Sequence, residues 1–322
     1  MSEKSARAEL IHDRGRAAES EEFFRSRPFI DAERVTHTLR IEGDDAELLA
    51  PLIVREIGDG PECDAISPYG YPGFSVAFDF DHTGGGSKSK AVIDPASIDF
   101  SATGLVSAFI RHTLGEPPLV GAGERNVVQI ADPTLPPKSR ASDRNQINKN
   151  RRNGYQVRLV SGPDTSAEER AGFLAAYEQT MRRAGAAERY FFGAEYFDTV
   201  LRSPHTWLAI ATAPAGEVAA ASLAARGDGF LHYYLSGSVD SHLRDSPMKN
   251  VVAALVELST DLSLPLNLGG GMTPGDPLEE FKRGFANRQQ PWFTSELICD
   301  RAVYERLSAG HEESAFFPAY RS

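Results

Sequence analysis

The chain has 322 residues, 41% of them hydrophobic and 25% charged, which suits an ordinary soluble globular protein with room for two domains rather than one. Its 34 basic and 45 acidic residues leave a net charge of −11, which argues against non-specific coating of DNA or an anionic membrane while allowing a local basic site. Cys63 and Cys299 belong to no CxxC pattern, and the histidines form neither HExxH nor HxH, so a disulfide framework and a metal centre are both disfavoured. No apolar stretch reaches the roughly 18 residues of a membrane span, and the N-terminus carries no apolar leader core, so a cytoplasmic protein without membrane insertion is expected.

In chain order, residues 1–22 are polar and without period, which predicts a frayed helix or disorder. Leu49 to Ile57 reads as a strand. The segment Cys63 to Gly73 reads as an ordered loop in which Tyr69 and Tyr71 either line a binding surface or cover core edges. Phe74 to Phe80 suggests a strand, and the glycine-rich stretch Asp81 to Lys90 a mobile hairpin tip. Within that tip, Gly84 to Ser89 imitates a phosphate loop but has serine where the motif needs glycine before Lys88. Gly121-Ala122-Gly123 lacks the third glycine of a dinucleotide loop, and no nucleophile elbow is present. Leu105 to His112 suggests an amphipathic helix ending near Arg111, and Asn126 to Ile130 a strand.

After the Pro-rich stretch Asp132 to Pro137 the composition shifts. Lys138, Arg140, Arg144, Lys149, Arg151, Arg152 and Arg158 stand against the single acid Asp143. Ser142 to Arg152 can form a helix stopped by Asn153-Gly154. A basic helix in an acidic protein points either to a phosphate-bearing partner or to a solvated face with ion pairs. Gln156 to Val160 reads as a strand, Ala167 to Met181 as a helix with a core stripe, and Tyr190 to Leu201 as a further aromatic-rich helix. Strands at Trp207–Thr212, Val218–Ala225 and Phe230–Leu235 form a meander, followed by a helix after Ser246-Pro247. A short strand at Leu264–Leu268 then meets Gly269, Gly270 and Gly271. Asp276 and Pro277 read as the N-cap and first position of a helix with Leu278, Phe281 and Phe285 on one face, and Trp292 to Cys299 is a last strand. Lys282, beside that face, is expected near the exposed amides of the glycine turn, where charge could develop on a substrate oxygen; the plain alternative is a strand–loop–helix connection with a solvated lysine.

The order of elements in the second half is that of the GNAT acyltransferase fold. The Q/R-x-x-G-x-G/A loop that acetyl-CoA-using members place before the helix after the central strand is replaced here by Leu243-Arg-Asp-Ser-Pro-Met248, without glycine. From Leu49 to Cys299 the chain resembles the Fem family of aminoacyl-tRNA-dependent transferases. The resemblance rests on Ser67-Pro-Tyr-Gly-Tyr71 with Gly73, on Arg144 to Tyr155, on Tyr177 to Arg182 with Tyr190-Phe191-Phe192, and on Leu268 to Gly271 followed by Phe281-Lys282. It implies an α+β fold of two GNAT-like domains, each a mostly antiparallel mixed sheet flanked by helices, packed around a cleft. The expected domains are 23–140 on the acceptor side and 141–300 on the donor side, with 301–322 returning to the first.

The same resemblance implies transfer of an aminoacyl group from charged tRNA to an amine of a peptidoglycan precursor or peptide-like natural product, by an architecture of the compact type with no cofactor beyond the co-substrate; a monomer is expected. Phe281 and Lys282 then match the family's Phe-Lys pair as catalytic residues. Lys149, Arg151, Arg152, Gly269, Gly270 and Gly271 fall to donor binding, and Tyr69, Tyr71, Arg111, Tyr177, Arg182 and Tyr233 to acceptor binding. No general base is evident. An acyl-CoA N-acyltransferase, with acetyl-CoA as donor, is the alternative, and a non-catalytic binding protein the third.

Overall fold

The computed structural model describes residues 6–12, 20–44, 46–78, 92–311 and 313–322. The glycine-rich tip at 81–90 and most of the rest of the N-terminal segment lie outside the described residues. The chain runs through β1 (Ala6–Ile11), α1 (Arg27–Ala32), β2 (His37–Glu42), β3 (Ala46–Glu56), β4 (Cys63–Ile66), β5 (Ser75–Phe78), β6 (Ile98–Ala102), β7 (Leu105–Arg111) and β8 (Gly123–Ala131). It continues with α2 (Ala141–Arg152), β9 (Gln156–Ser161), α3 (Ala167–Arg183), α4 (Ala194–Val200), β10 (Thr206–Thr212), β11 (Val218–Gly227) and β12 (Phe230–Ser238). Then follow α5 (Met248–Asp261), β13 (Leu266–Gly269), α6 (Pro277–Arg283), β14 (Arg288–Ile298) and α7 (Arg301–Leu307). Among the described residues no helix is long and apolar enough to cross a membrane.

Two compact units divide the chain. One comprises 1–20, 24–125 and 292–322, the other 21–23 and 126–291. In the first unit the strand order is β6-β1-β2-β3-β4-β7-β14, with β5 on β3. Its pairings are antiparallel except β1 with β6 and β4 with β7. Leu39, Ile41, Leu48, Leu52, Ile98 and Ile110 form its core.

Two expectations fail here. Ala6 to Ile11 is a strand and not a frayed segment: Ala6 and Ala8 are buried while Arg7 is exposed, a period of two too short to stand out among charged neighbours. Leu105 to Arg111 is a strand and not a helix. It is hydrogen-bonded on both sides, and Leu105, Val106, Ser107 and Ala108 are consecutively buried. A run buried on both faces carries no alternation that separates strand from helix.

In the second unit the order is β8-β13-β12-β11-β10-β9, antiparallel throughout except β12 with β13. Helix α5 lays Val251, Val252 and Leu255 against Ala209, Ala220, Ala224 and Leu231. Helix α3 packs on β11 and β12. Its N-terminus carries a capping box between Ser166 and Glu169, as helix-start chemistry requires. The expected helix from Tyr190 starts later, at Ala194, because Glu188–Tyr190 makes a separate 3-10 turn. The small residues of β11, with Ala219, Ala220, Ala221, Ala224 and Ala225 all buried, let flanking elements come close.

The parallel pair β12 and β13 is in register only at Leu231↔Leu266 and His232↔Asn267, although β12 runs on to Ser238. A buried polar strut marks the last paired rung. Asn267 Nδ2 donates to His232 Nδ1 at 3.1 Å, and His232 Nε2 donates to the Gly227 carbonyl at 3.2 Å. Burial pushes the His232 pKa down to about 4, so the ring is a neutral structural group at physiological pH.

Close approach of α3 to β12 demands glycine at 237. A Cβ there would stand 2.4 Å from the Ala176 backbone carbonyl and the Tyr177 amide nitrogen. Gly237→Ala is therefore expected to destabilise the protein by about 1–3 kcal/mol, read as a lower urea midpoint at an unchanged slope. An unchanged midpoint would contradict the packing described.

Candidate active site

The site is assembled at the end of β13. Gly269 has φ +76°, a conformation that L side chains rarely adopt. A Cβ on Gly270 would meet the Asn126 side chain at 2.5 Å, and one on Gly271 would meet the Asp276 carboxylate at 2.5 Å. The turn is therefore closed tightly on both sides. Asn126 Nδ2 also donates to the Gly271 carbonyl at 3.0 Å. Asp276 caps α6 by accepting from the Glu279 amide at 2.7 Å, and its second oxygen accepts from the amides of Met272 (2.6 Å) and Thr273 (3.1 Å). These backbone donors hold its carboxyl below the usual range. Glu279 accepts from the Gly275 amide at 2.7 Å, which lowers its pKa in the same way.

This scaffold delivers Lys282 back onto the turn. Its Nζ donates to the Gly270 carbonyl at 2.6 Å, and the residue is only 8% exposed. The expectation of a lysine near the turn holds, but its partner is a carbonyl rather than the amides. No hydrogen bond from the Gly270 or Gly271 amide is found among the described residues. Burial lowers the Lys282 pKa from 10.5 to about 8, with the Asp276 charge opposing the shift. Phe281 packs against Phe285, with ring centroids 5.6 Å apart, at the margin of the second unit's core. Leu278, expected on the same buried face, is instead 42% exposed, because the face that α6 buries is the one carrying Glu279 and Lys282.

The side chains expected to bind the donor lie on α2, where Lys149, Arg151 and Arg152 are all exposed. Arg151 comes within 3.8 Å of Glu257, whereas Lys149 and Arg152 make no ion pair among the described residues. Arg151 also lines a cavity of about 220 Å³ with Tyr155, Val157, Leu159, Asn250 and Glu257.

The residues expected to bind the acceptor divide between the units. In the first, Arg111 supports the loop carrying Tyr69 and Tyr71: its guanidinium donates to the Ser67 carbonyl at 2.5 Å, and its amide donates to Ser67 Oγ at 3.0 Å. Tyr71 packs edge-on against Phe24 and Trp292, and Tyr69 is 36% exposed. In the second, Arg182 is exposed and paired with Glu178 one turn earlier, at 2.7 Å. Tyr233 is partly buried against the core, and burial pushes its phenol up to about 12.

Tyr177 does not fit an acceptor role. It is 2% exposed, packs between Phe173 and Phe197, and spends its hydroxyl on the Tyr190 carbonyl at 2.6 Å. Helical spacing puts it on the inward stripe of α3, and the core claims it.

Sequence reasoning missed a cavity of about 470 Å³ in the second unit, lined by Gln129, Lys138, Arg283, Asn287, Arg288 and Gln289 together with Ala286. Its residues come from separate segments, and the only local signal was that Arg283 follows Lys282.

Residues 137–283 match the acetyltransferase (GNAT) domain family. The structure is similar to that of FemX, at 10% identity, a TM-score of 0.59, and coverage of 92% of this chain and 99% of FemX. It is also similar to the C-terminal domain of a putative lysylphosphatidylglycerol synthetase from Agrobacterium fabrum (13% identity, TM-score 0.53, coverage 89% and 90%). L-PGS from Bacillus licheniformis is a further neighbour (12% identity, TM-score 0.50, coverage 80% and 82%). No curated protein matches the chain significantly. The family match is thus confined to residues 137–283, a GNAT-like domain. The fold of the chain as a whole is similar to that of FemX.

Lys282 makes stability depend on pH. Between about 8 and 10.5 the unfolded chain holds a proton on this lysine that the folded chain lacks, so stability rises with pH across that window. Below the window the buried charge costs on the order of 3 kcal/mol. Lys282→Met is expected to remove this rise and to be at least as stable as the parent at pH 7. The check is urea unfolding of both proteins from pH 7 to 10.5; parallel pH profiles would contradict a buried, depressed lysine.

Proposed function

We propose that the protein transfers an aminoacyl group from charged tRNA to an amine acceptor, forming an amide. The observation that carries the chemistry is Lys282, buried against the Gly270 carbonyl with its pKa lowered to about 8. Such an amine is matched to proton transfer near neutral pH. Neutral Lys282 takes a proton from the acceptor ammonium, and the freed amine attacks the ester carbonyl carbon. The lysinium so formed and the Gly270 and Gly271 amides, which donate to no partner among the described residues, then face the tetrahedral oxyanion. As the carbon–oxygen bond to the ribose breaks, lysinium returns a proton to the leaving oxygen, and the amide nitrogen releases its surplus proton to water. Lys282 thereby serves as the general base that the sequence did not disclose.

The donor class is supported by the fold shared with FemX and with two proteins named as lysylphosphatidylglycerol synthetases or L-PGS. It is also supported by the segment ahead of α5. There the Asp245 carbonyl is taken up by Gln146 (3.1 Å) and Asn150 (2.7 Å), and its carboxylate accepts from Tyr155 at 3.0 Å. Pro247 contributes no amide to the helix start, so the segment is poorly suited to a CoA diphosphate. Lys149, Arg151 and Arg152 are the proposed tRNA contacts. Tyr69, Tyr71 and Arg111 are proposed for the acceptor, a peptidoglycan precursor or peptide-like natural product, with Arg182 and Tyr233 on the same footing.

The test is transfer from charged tRNA to a panel of amines, with acetyl-CoA as the parallel donor. kcat/KM is expected to rise with pH to a plateau above an apparent pKa near 8, and Lys282→Met is expected to lose that limb and roughly 10²–10³-fold of turnover. Full activity in Lys282→Met would remove the proposed role, and transfer from acetyl-CoA alone would remove the donor.

A further inference from the structure

The cavity of about 470 Å³ is walled by cations and amides and has no carboxylate in its lining. Its volume falls in the range of small-ligand sites, roughly 300–1,000 Å³. The charges are only partly answered. Arg283 pairs with Glu279 and lies 3.6 Å from Glu280, and Arg288 Nε stands 3.4 Å from Asp132 Oδ2 without a hydrogen bond. Lys138 meets no carboxylate among the described residues. The lining therefore sets three cationic side chains, Lys138, Arg283 and Arg288, around one space with no lining carboxylate to answer them, which suits an anion from outside the chain.

The wall is held in place. Asn287 accepts from the Asp132 amide (2.8 Å) and donates to the carbonyls of Asp132 (2.9 Å) and Pro136 (3.2 Å), which fixes the segment leading to Lys138. Gln289 donates to Gln129 at 3.3 Å. Planar guanidinium donors set beside a lysine suit an oxyanion with several acceptor oxygens, as in a phosphate group. The cavity shares its framework with Lys282: Arg283 is the next residue of α6, and Gln129 is the β8 partner of Gly269.

We propose that this cavity is a phosphate subsite, separate from the basic face of α2, and that it holds a phosphodiester near the acyl-bearing end of the RNA donor. The RNA as source of that phosphate rests on the proposed aminoacyl transfer, while the phosphate chemistry itself does not. Lys138 is exposed, so Lys138→Gln changes charge without touching the core.

The experiment measures binding of an unacylated RNA hairpin copying a tRNA acceptor stem with its single-stranded 3′ end, across salt concentrations. Coenzyme A and inorganic phosphate are titrated in parallel. The proteins are the parent, Lys138→Gln, Arg288→Gln and, on α2, Arg152→Gln, each with a thermal unfolding curve to confirm the fold. Loss of RNA affinity in Lys138→Gln and Arg288→Gln, with each salt slope shallower by about 0.7–1 and coenzyme A binding absent throughout, is the expected result. RNA binding that is weakened only by Arg152→Gln overturns the subsite and leaves the aminoacyl-tRNA reading standing. Coenzyme A binding that Lys138→Gln and Arg288→Gln abolish, with no RNA binding in the parent, keeps a phosphate site and overturns RNA as its source. Unchanged affinities for every probe in both cavity variants overturn the proposal altogether.

Discussion

The hydrogen bond from Lys282 to the Gly270 carbonyl is the constraint on which the chemistry proposed for the second unit depends. An ammonium in apolar surroundings is expensive unless it is paired or loses its proton, and here its hydrogen-bond partner among the described residues is a neutral carbonyl. Asp276 lies close enough to oppose the shift but not to cancel it, so the lysine settles near pH 8. A fully paired lysine would stay charged and could not take a proton. A fully exposed one would have an ordinary pKa and no fixed position. The half-compensated state is what makes the group both placed and titratable.

That state is built by elements whose own requirements are local. Three glycines are demanded by a positive φ at Gly269 and by the neighbours crowding Gly270 and Gly271. Asp276 both caps α6 and ties down Met272 and Thr273, so one carboxylate sets the helix start and the turn together. The divergence of β12 and β13 beyond His232 and Asn267 brings this turn to the end of a short strand. The buried neutral histidine at that point belongs to the architecture and not to the reaction.

Much of this could be read from the sequence, for physical reasons particular to each element. Asp276-Pro277 announces a helix start because capping is a local matter of side-chain chemistry, and the structure places the cap and first residue there. The β10–β12 meander shows in its turn residues. By contrast, β7 is apolar on both faces and has no period, and β1 is a short strand among charges. Tyr177 falls to acceptor binding only through the family resemblance, whereas its ring lies on the core stripe that the helical spacing predicts and the hydroxyl is spent on Tyr190. Lys282 was singled out in sequence, but its burial, and with it the depressed pKa, depends on a carbonyl twelve residues earlier. The cationic cavity joins Gln129, Lys138, Arg283 and Arg288, which only folding brings together.

The protonation of Lys282 can be observed directly. Protein labelled at lysine Cε, followed by NMR through pH 6–11 with Lys282→Met to assign the resonance, reports the pKa of Lys282 without reference to any substrate. A single lysine titrating near pH 8, absent from the variant, is the expected result. A Lys282 resonance titrating at the ordinary lysine value of 10.5 would contradict it.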